Sequence, residues 1–198
     1  MPEYKEIHPK TPLAWRNWLA KNHDSSPGIW LIYYKKKSGK ARVSYEDAVI
    51  EALCYGWIDS VGRKLDSERT FLKFTPRKPK SVWCEINKKR ITQLIKEKKM
   101  TNAGLIKIEQ AKKDGSWDIL NNSDQHATNN TIPADLEKAL KKNKKAFENF
   151  NGFPSGYRKR FFYWLDSAKR EETRQARIKQ TVLMATANKK PGATGFKL

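Results

Sequence analysis

Glu51-Ala-Leu-Cys-Tyr-Gly-Trp-Ile-Asp-Ser60, followed by Phe74-Thr-Pro-Arg-Lys-Pro-Lys-Ser-Val-Trp83, decides how this chain is built. The first stretch carries the end of an amphipathic helix into a Gly stop and then a strand. The second ends a strand at Pro76 and leaves through a basic turn framed by Pro76 and Pro79, since proline lacks the amide a sheet interior needs. Between them, Trp57 to Lys64 and Arg69 to Thr75 read as two strands of a hairpin joined through Leu65-Asp-Ser-Glu68. Upstream, Ser44-Tyr-Glu-Asp47 resembles a capping box, and Ala48, Val49, Ala52 and Leu53 carry a helix to Gly56.

Working outward, Thr11-Pro12 supplies an N-cap and a proline at the first helical position. Leu13, Trp15, Trp18 and Leu19 then recur at helical spacing to about Asn22. Ile29-Trp-Leu-Ile-Tyr-Tyr34 is β-rich and runs into Lys35-Lys36-Lys37, a strand with an exposed hairpin tip closed by Gly39. Ser81 is a candidate cap for a helix to about Lys99, with Val82, Trp83, Ile86, Ile91, Leu94 and Ile95 on one arc and Lys88, Lys89, Lys96 and Lys99 opposite. Thr101 opens another helix to about Asp114. Asn121 to Thr131 has no periodicity and reads as a loop. Pro133 to Lys142, Lys144 to Asn151, Ser155 to Ala168 and Glu171 to about Asn188 read as helices, before a frayed tail.

The expected fold class is therefore α+β. Strands 29–35, 57–64 and 69–75 form a small three-stranded antiparallel sheet with helices in an N-terminal lobe over residues 1–100. An all-helical region over 101–188 packs on it, and 189–198 is a flexible tail. A chain of 198 residues is long enough for one substantial core, and seven Trp, seven Tyr and eight Phe are too many for a disordered polymer.

Composition bounds function by exclusion. Cys54 and Cys84 are the only cysteines and read as reduced thiols; His8, His23 and His126 lack ligand spacing, so no metal and no cofactor is expected. No apolar run is long enough to span a bilayer and Met1 to Lys10 lacks a signal's apolar stretch, so the expected location is cytoplasmic. The strongest bulk property is charge: 41 Lys and Arg against 21 Asp and Glu give a net +20. Such a field draws polyanions, whether nucleic acid, anionic lipid or an acidic protein. The excess is spread over residues 76–100, 138–160 and 169–190 and marks no single recognition helix.

Three constellations carry candidate chemistry. Trp57, Asp59, Ser60 and Arg63 lie on one hairpin strand, and Arg77, Lys78, Lys80, Ser81 and Trp83 follow the other. If a helix begins near Ser81, its free amides and the Arg77, Lys78 and Lys80 charges form an anion site, with Trp57 and Asp59 beside it. The same residues serve equally as a packed, ion-paired turn, or as an enzyme pocket around Asp59 and Arg77. Trp164, Asp166, Ser167, Lys169 and Arg170 form the second group. Ser167 and Lys169 are two apart on a helix and point away from each other, which disfavours a nucleophile–base pair. The third pattern is aromatics interleaved with cations, Trp30 to Lys37 and Tyr157 to Tyr163, a text shared by single-strand nucleic-acid binders and ordinary cores.

Read together, EALCYGWIDS, FTPRKPKSVW, KKRITQLIKEKKMTNAGL and YWLDSAKREETRQARI resemble the YdeI/OmpD-associated family, whose members are labelled bacteriocin-protection proteins. The similarity runs from about Trp15 to Met184. It implies a stress-associated role in tolerance of bacteriocins or cationic antimicrobial peptides, through non-catalytic binding of an anionic ligand or partner, with a protein partner or nucleic acid as alternatives. The family pattern often has Ser at the position of Cys84, so the resemblance implies no thiol chemistry.

Overall fold

A computed structural model describes residues 4–192, 195 and 196. It divides into two compact units, Met1–Ser81 with Ile86–Trp117, and Val82–Glu85 with Asp118–Leu198. In the first unit the elements run β1 (Lys5–Ile7), α1 (Pro12–Asn22), β2 (Ile29–Tyr34), α2 (Tyr45–Cys54), β3 (Trp57–Lys64), β4 (Arg69–Pro76), α3 (Glu85–Lys96) and α4 (Asn102–Lys113). The strands form one sheet in the order β1-β2-β4-β3.

The α+β class holds, and the sheet has four mixed strands where three antiparallel ones were expected. β1 runs parallel to β2, with Lys5 opposite Ile29 and Ile7 opposite Leu31. Lys5-Glu-Ile7 is too short and polar to show an alternation of its own; its partner arrives only after the chain has crossed over through α1, as parallel pairing requires. The Lys35 to Lys37 run is likewise no hairpin tip. It enters a 3-10 turn at Lys36–Ser38 and leads to α2, while β2 takes β4 as its antiparallel neighbour. The β3–β4 hairpin is present, closed by Asp66, whose carboxylate accepts from the amides of Glu68 at 2.8 Å and Arg69 at 2.7 Å.

One sheet face is covered by α1 and α2. Trp15 and Leu19 of α1, Ala48, Val49, Ala52 and Leu53 of α2, and Ile29, Leu31, Trp57 and Phe74 of the strands are all buried there. Trp15 lies 5.5 Å from Phe74 and 6.4 Å from Trp57 between ring centres. The buried indoles keep their polar atoms paired: Trp15 Nε1 donates to the Ala48 carbonyl and Trp57 Nε1 to that of His23, both at 3.0 Å.

The helix expected from Ser81 starts at Glu85. Val82 and Trp83 therefore lie outside it and, by compactness, in the second unit. The apolar arc is shortened accordingly: Ile91 and Leu94 are buried, while Ile86 and Ile95 are about half exposed. Lys89, Lys96 and Lys99 are exposed, and Lys88 is half-buried with its ammonium 5.0 Å from the Trp117 ring centre.

The second unit contains α5 (Asn121–Thr128), α6 (Ala134–Lys141), α7 (Lys144–Asn151), α8 (Ser155–Asp166) and α9 (Glu171–Thr186). Leu136, Leu140, Phe150, Phe153, Phe161, Phe162, Leu165, Ile178 and Met184 form its core. The segment expected as a loop is α5. Its inward residues are polar, so no hydrophobic period betrays it: the Ser123 hydroxyl donates to Asp166 at 2.7 Å, Asp124 meets Lys159, and Asp124 Oδ2 accepts from the Glu85 amide at 2.8 Å. The expected tail falls in part on residues 193, 194, 197 and 198, outside the described residues. Of the described ones, Pro191 and Gly192 offer carbonyls to Arg160 at 2.8 Å, and Phe196 stacks on Trp164 at 4.1 Å.

Candidate functional site

The basic turn after β4 is built differently from the anion site drawn from sequence. Arg77 is only 2% exposed; its amide donates to the Gly56 carbonyl at 2.9 Å and its guanidinium reaches the Ser81 hydroxyl at 3.3 Å. Three amides in and just after the turn are occupied. Ser81 N–H donates to the Lys78 carbonyl, Lys80 N–H to Asp114 Oδ2 at 3.0 Å, and Glu85 N–H, at the true helix start, to Asp124. Lys80 sits at φ 60°, a left-handed conformation uncommon for a lysine, and the Asp114 bond holds it there. The nearby Ser116 side chain and the hydrogen bond from the Ser116 amide keep the Asp114 carboxyl below its ordinary range.

Trp57 is buried opposite Pro76, close to this turn. Asp59 faces the covered side of the sheet opposite Phe74 and accepts from the Tyr45 hydroxyl at 2.9 Å; among the described residues it does not meet Arg77. Burial first, and the Asp59 charge second, push the Tyr45 phenol up to about 12. Arg77 and Ser81 are thus brought together, Lys78 and Lys80 are exposed, and Asp59 belongs to a different cluster.

The opposite sheet face collects the surface that sequence reading scattered. Cross-strand pairing places Trp30 beside Lys73, Ile32 beside Phe71, and Tyr34 beside Arg69. Residues directly opposite on antiparallel strands share a face, and it is not the one carrying Ile29 and Phe74. Between Asp59 and Gly62 the β3–β4 register shifts by a bulge. Strict alternation from Trp57 and Asp59 would turn Arg63 toward the helices; the extra residue turns it to the open face, opposite Phe71.

The rings on this face are half-buried and capped by cations. Arg63 lies 5.1 Å from the Trp30 ring centre, Lys73 lies 4.2 Å from that of Tyr4, and Lys40 lies 5.0 Å from that of Tyr34. Trp30 and Phe71 are 5.8 Å apart. Lys40 also pairs with Glu68 and Arg69 with Asp66, whereas among the described residues Arg63 and Lys73 meet no carboxylate. At the Tyr34 end, Lys35, Lys37, Ser38, Ser67 and Glu68 line an open depression of about 430 Å³.

Comparison with known families fits the two-part build. Residues 7–107 match the model of a domain of unknown function (DUF8412), just over half of the chain, and residues 129–188 match the family described as Bacteriocin-protection, YdeI or OmpD-Associated (OmdA). The chain belongs to the DUF8412 family, and its residues 129–188 are similar to the OmdA family. No curated protein and no solved structure matches it.

The DUF8412 segment carries strands β2, β3 and β4 with α1 to α3 and the first half of α4; the OmdA segment carries α6 to α9. Inside the OmdA segment the Trp164 to Arg170 constellation resolves into a structural staple. Arg174 forks onto Asp135 at 2.6 and 3.1 Å and reaches Asp166 at 3.1 Å, which raises its own pKa and holds the Asp135 carboxyl below the ordinary range. Ser167 donates to the Trp164 carbonyl at 2.9 Å and accepts from Arg177 at 2.9 Å, while Lys169 is exposed. Cys54 is buried, which raises its thiol pKa, and Cys84 is half-buried. Among the described residues no group of three His, Cys, Asp or Glu side chains is placed to hold a metal, and no helix is long and apolar enough to cross a membrane.

Proposed function

We propose that this protein contributes to tolerance of bacteriocins or cationic antimicrobial peptides, in the cytoplasm, by binding an anionic partner without catalysis. The setting comes from the printed description of the OmdA family. The observation that carries the binding mode is the uncompensated charge: a net +20, with Arg63 and Lys73 on the open sheet face meeting no carboxylate among the described residues. A field of that sign repels a cationic peptide, so direct capture is disfavoured and an indirect route through a polyanion is favoured. Lys78 and Lys80, exposed on the turn, add to the attraction, with Arg77 and Ser81 bracing the backbone beneath them. Trp57 and Asp59 support the same hairpin from its covered side.

The test is a pair of anisotropy titrations, one with labelled heparin and one with labelled polylysine. Heparin binding that weakens linearly with log salt, and no binding of polylysine, is the expected result. Binding of polylysine in place of heparin overturns the reading. A second reading, a nucleic-acid-binding module, is favoured by the aromatic rings set among the cations of the open face.

A further inference from the structure

We propose that the open face of the β1-β2-β4-β3 sheet is a stacking platform for a single strand of nucleic acid. This deepens the polyanion reading above and rests on it. Three observations converge. The face presents flat rings, Trp30, Tyr34 and Phe71, from the two central strands, half-buried and therefore rigidly held yet still accessible. Trp30 and Tyr34 are four residues apart on β2, about 14 Å at about 3.4 Å per residue, so they meet different bases. Cations interleave with the rings: Lys73 beside Trp30, Arg69 beside Tyr34, and Arg63 turned onto this face by the bulge.

The chemistry selects the occupant. A lipid surface is bound by protruding apolar side chains, whereas the rings of this face are half-buried and set among cations. A duplex hides its base faces, so it gains charge contacts only. A single strand offers both what the rings stack on and what the cations neutralise, and stacking is tolerant of sequence and sugar because every base has a π-face. In the free protein the cations cap the rings, Arg63 over Trp30 and Lys40 over Tyr34. Binding exchanges partners: the base takes the ring, and Arg63 and Lys73 swing to phosphates. The depression lined by Lys35, Lys37 and Ser38 continues the cationic track past Tyr34, with Glu68 at its rim.

The experiment titrates the full chain with 12-mer oligo(dT), 12-mer oligo(U), a 12-base-pair duplex, heparin and anionic vesicles over a salt series. Expected are quenching of Trp fluorescence and binding of both single strands in preference to the duplex. Trp30→Ala and Phe71→Ala each weaken single-strand binding by at least about fivefold, the low end of one lost base stack, and leave the salt slope unchanged. Trp30→Tyr, which keeps a ring and protects the test against a misfolded alanine variant, retains most of the affinity. Arg63→Gln with Lys73→Gln lowers the log–log salt slope by up to about 1.4, from about 0.7 per phosphate on a single strand. Equal or tighter binding of the duplex, unchanged oligonucleotide affinity in folded Trp30→Ala and Phe71→Ala, or binding of vesicles without oligonucleotides overturns the platform while heparin binding leaves the polyanion reading standing. Failure to bind heparin and oligonucleotides alike overturns both.

Discussion

The Arg63 guanidinium sits 5.1 Å from the ring centre of Trp30, across the intervening strand β4, because a bulge between Asp59 and Gly62 turns Arg63 to the open side of the sheet. Arg63 is exposed, so its contact contributes little to the fold and leaves the cation available. Arg63→Ala is expected to lower stability by only about 0.5 to 1 kcal/mol, as for cation–π pairs at exposed sites. Urea melts followed by circular dichroism check this; a loss above about 3 kcal/mol would mean that Arg63 holds the sheet together.

Gly104, in the first turn of α4, faces the end of α2. A Cβ there would land on the Cys54 carbonyl oxygen and 2.7 Å from Met100 Cε. Alanine is the better helix former by about 1 kcal/mol; overpacking costs about 1 to 3 kcal/mol, and a collision with backbone atoms, which cannot swing aside, falls in the upper part of that range at about 2 to 3 kcal/mol, so the collision wins. Gly104→Ala is expected to destabilise the first unit by about 1 to 2 kcal/mol. A neutral or more stable variant in denaturant melts would show that α4 shifts freely against α2.

Trp83 is 1% exposed although it lies outside any helix. Trp83→Ala is expected to cost about 3 to 5 kcal/mol, the usual range for truncating a buried large aromatic. Equilibrium unfolding in urea measures it, and a loss below about 1 kcal/mol would contradict the burial.

Asp135 is held by the Arg174 fork, which lowers its pKa in the folded chain. A lowered carboxyl pKa stabilises the fold at any pH above the unfolded value, near 4, and that contribution drains away as pH falls through the folded value. The denaturation midpoint is therefore expected to be flat from pH 7 to about 5 and to drop below about pH 4. Asp135→Asn should lower the midpoint at pH 7 and make the acid drop shallower. Parallel urea melts of both proteins at pH 7 and pH 3 decide it; the same midpoint difference at the two pH values would mean that the fork contributes no titrating interaction.

Much of the build was written locally. Thr11, Ser44 and Thr101 each accept from an amide three residues on, at the helix starts their positions announced, and Gly56 adopts φ 71° at the stop after α2. The β3–β4 hairpin and the four helices after Pro133 were legible for the same reason: a cap, a turn or a hydrophobic period is a property of neighbouring residues. The net charge and the family resemblance were also present in the sequence alone; of the span from Trp15 to Met184 over which that resemblance was read, the family match covers residues 129–188, and residues 7–107 match a different family.

What only tertiary structure decided depends on partners distant in sequence. β1 exists because α1 returns the chain to Lys5-Glu-Ile7, and α5 exists because Asp166 and Lys159 satisfy its buried Ser123 and Asp124; neither leaves a period to read. The turn at Arg77 is closed by Asp114 taking the Lys80 amide, a bond across 34 positions, so that amide is not open as the local pattern suggested. The Trp30, Phe71 and Arg63 surface was scattered text until β4 inserted between β2 and β3 and the bulge changed which way Arg63 points. Side-chain direction along a strand alternates with period two, so a single extra residue reverses every assignment beyond it; Gly62 inside the strand is a local sign of such a bulge, but the pairing with β4 decides where the shift falls.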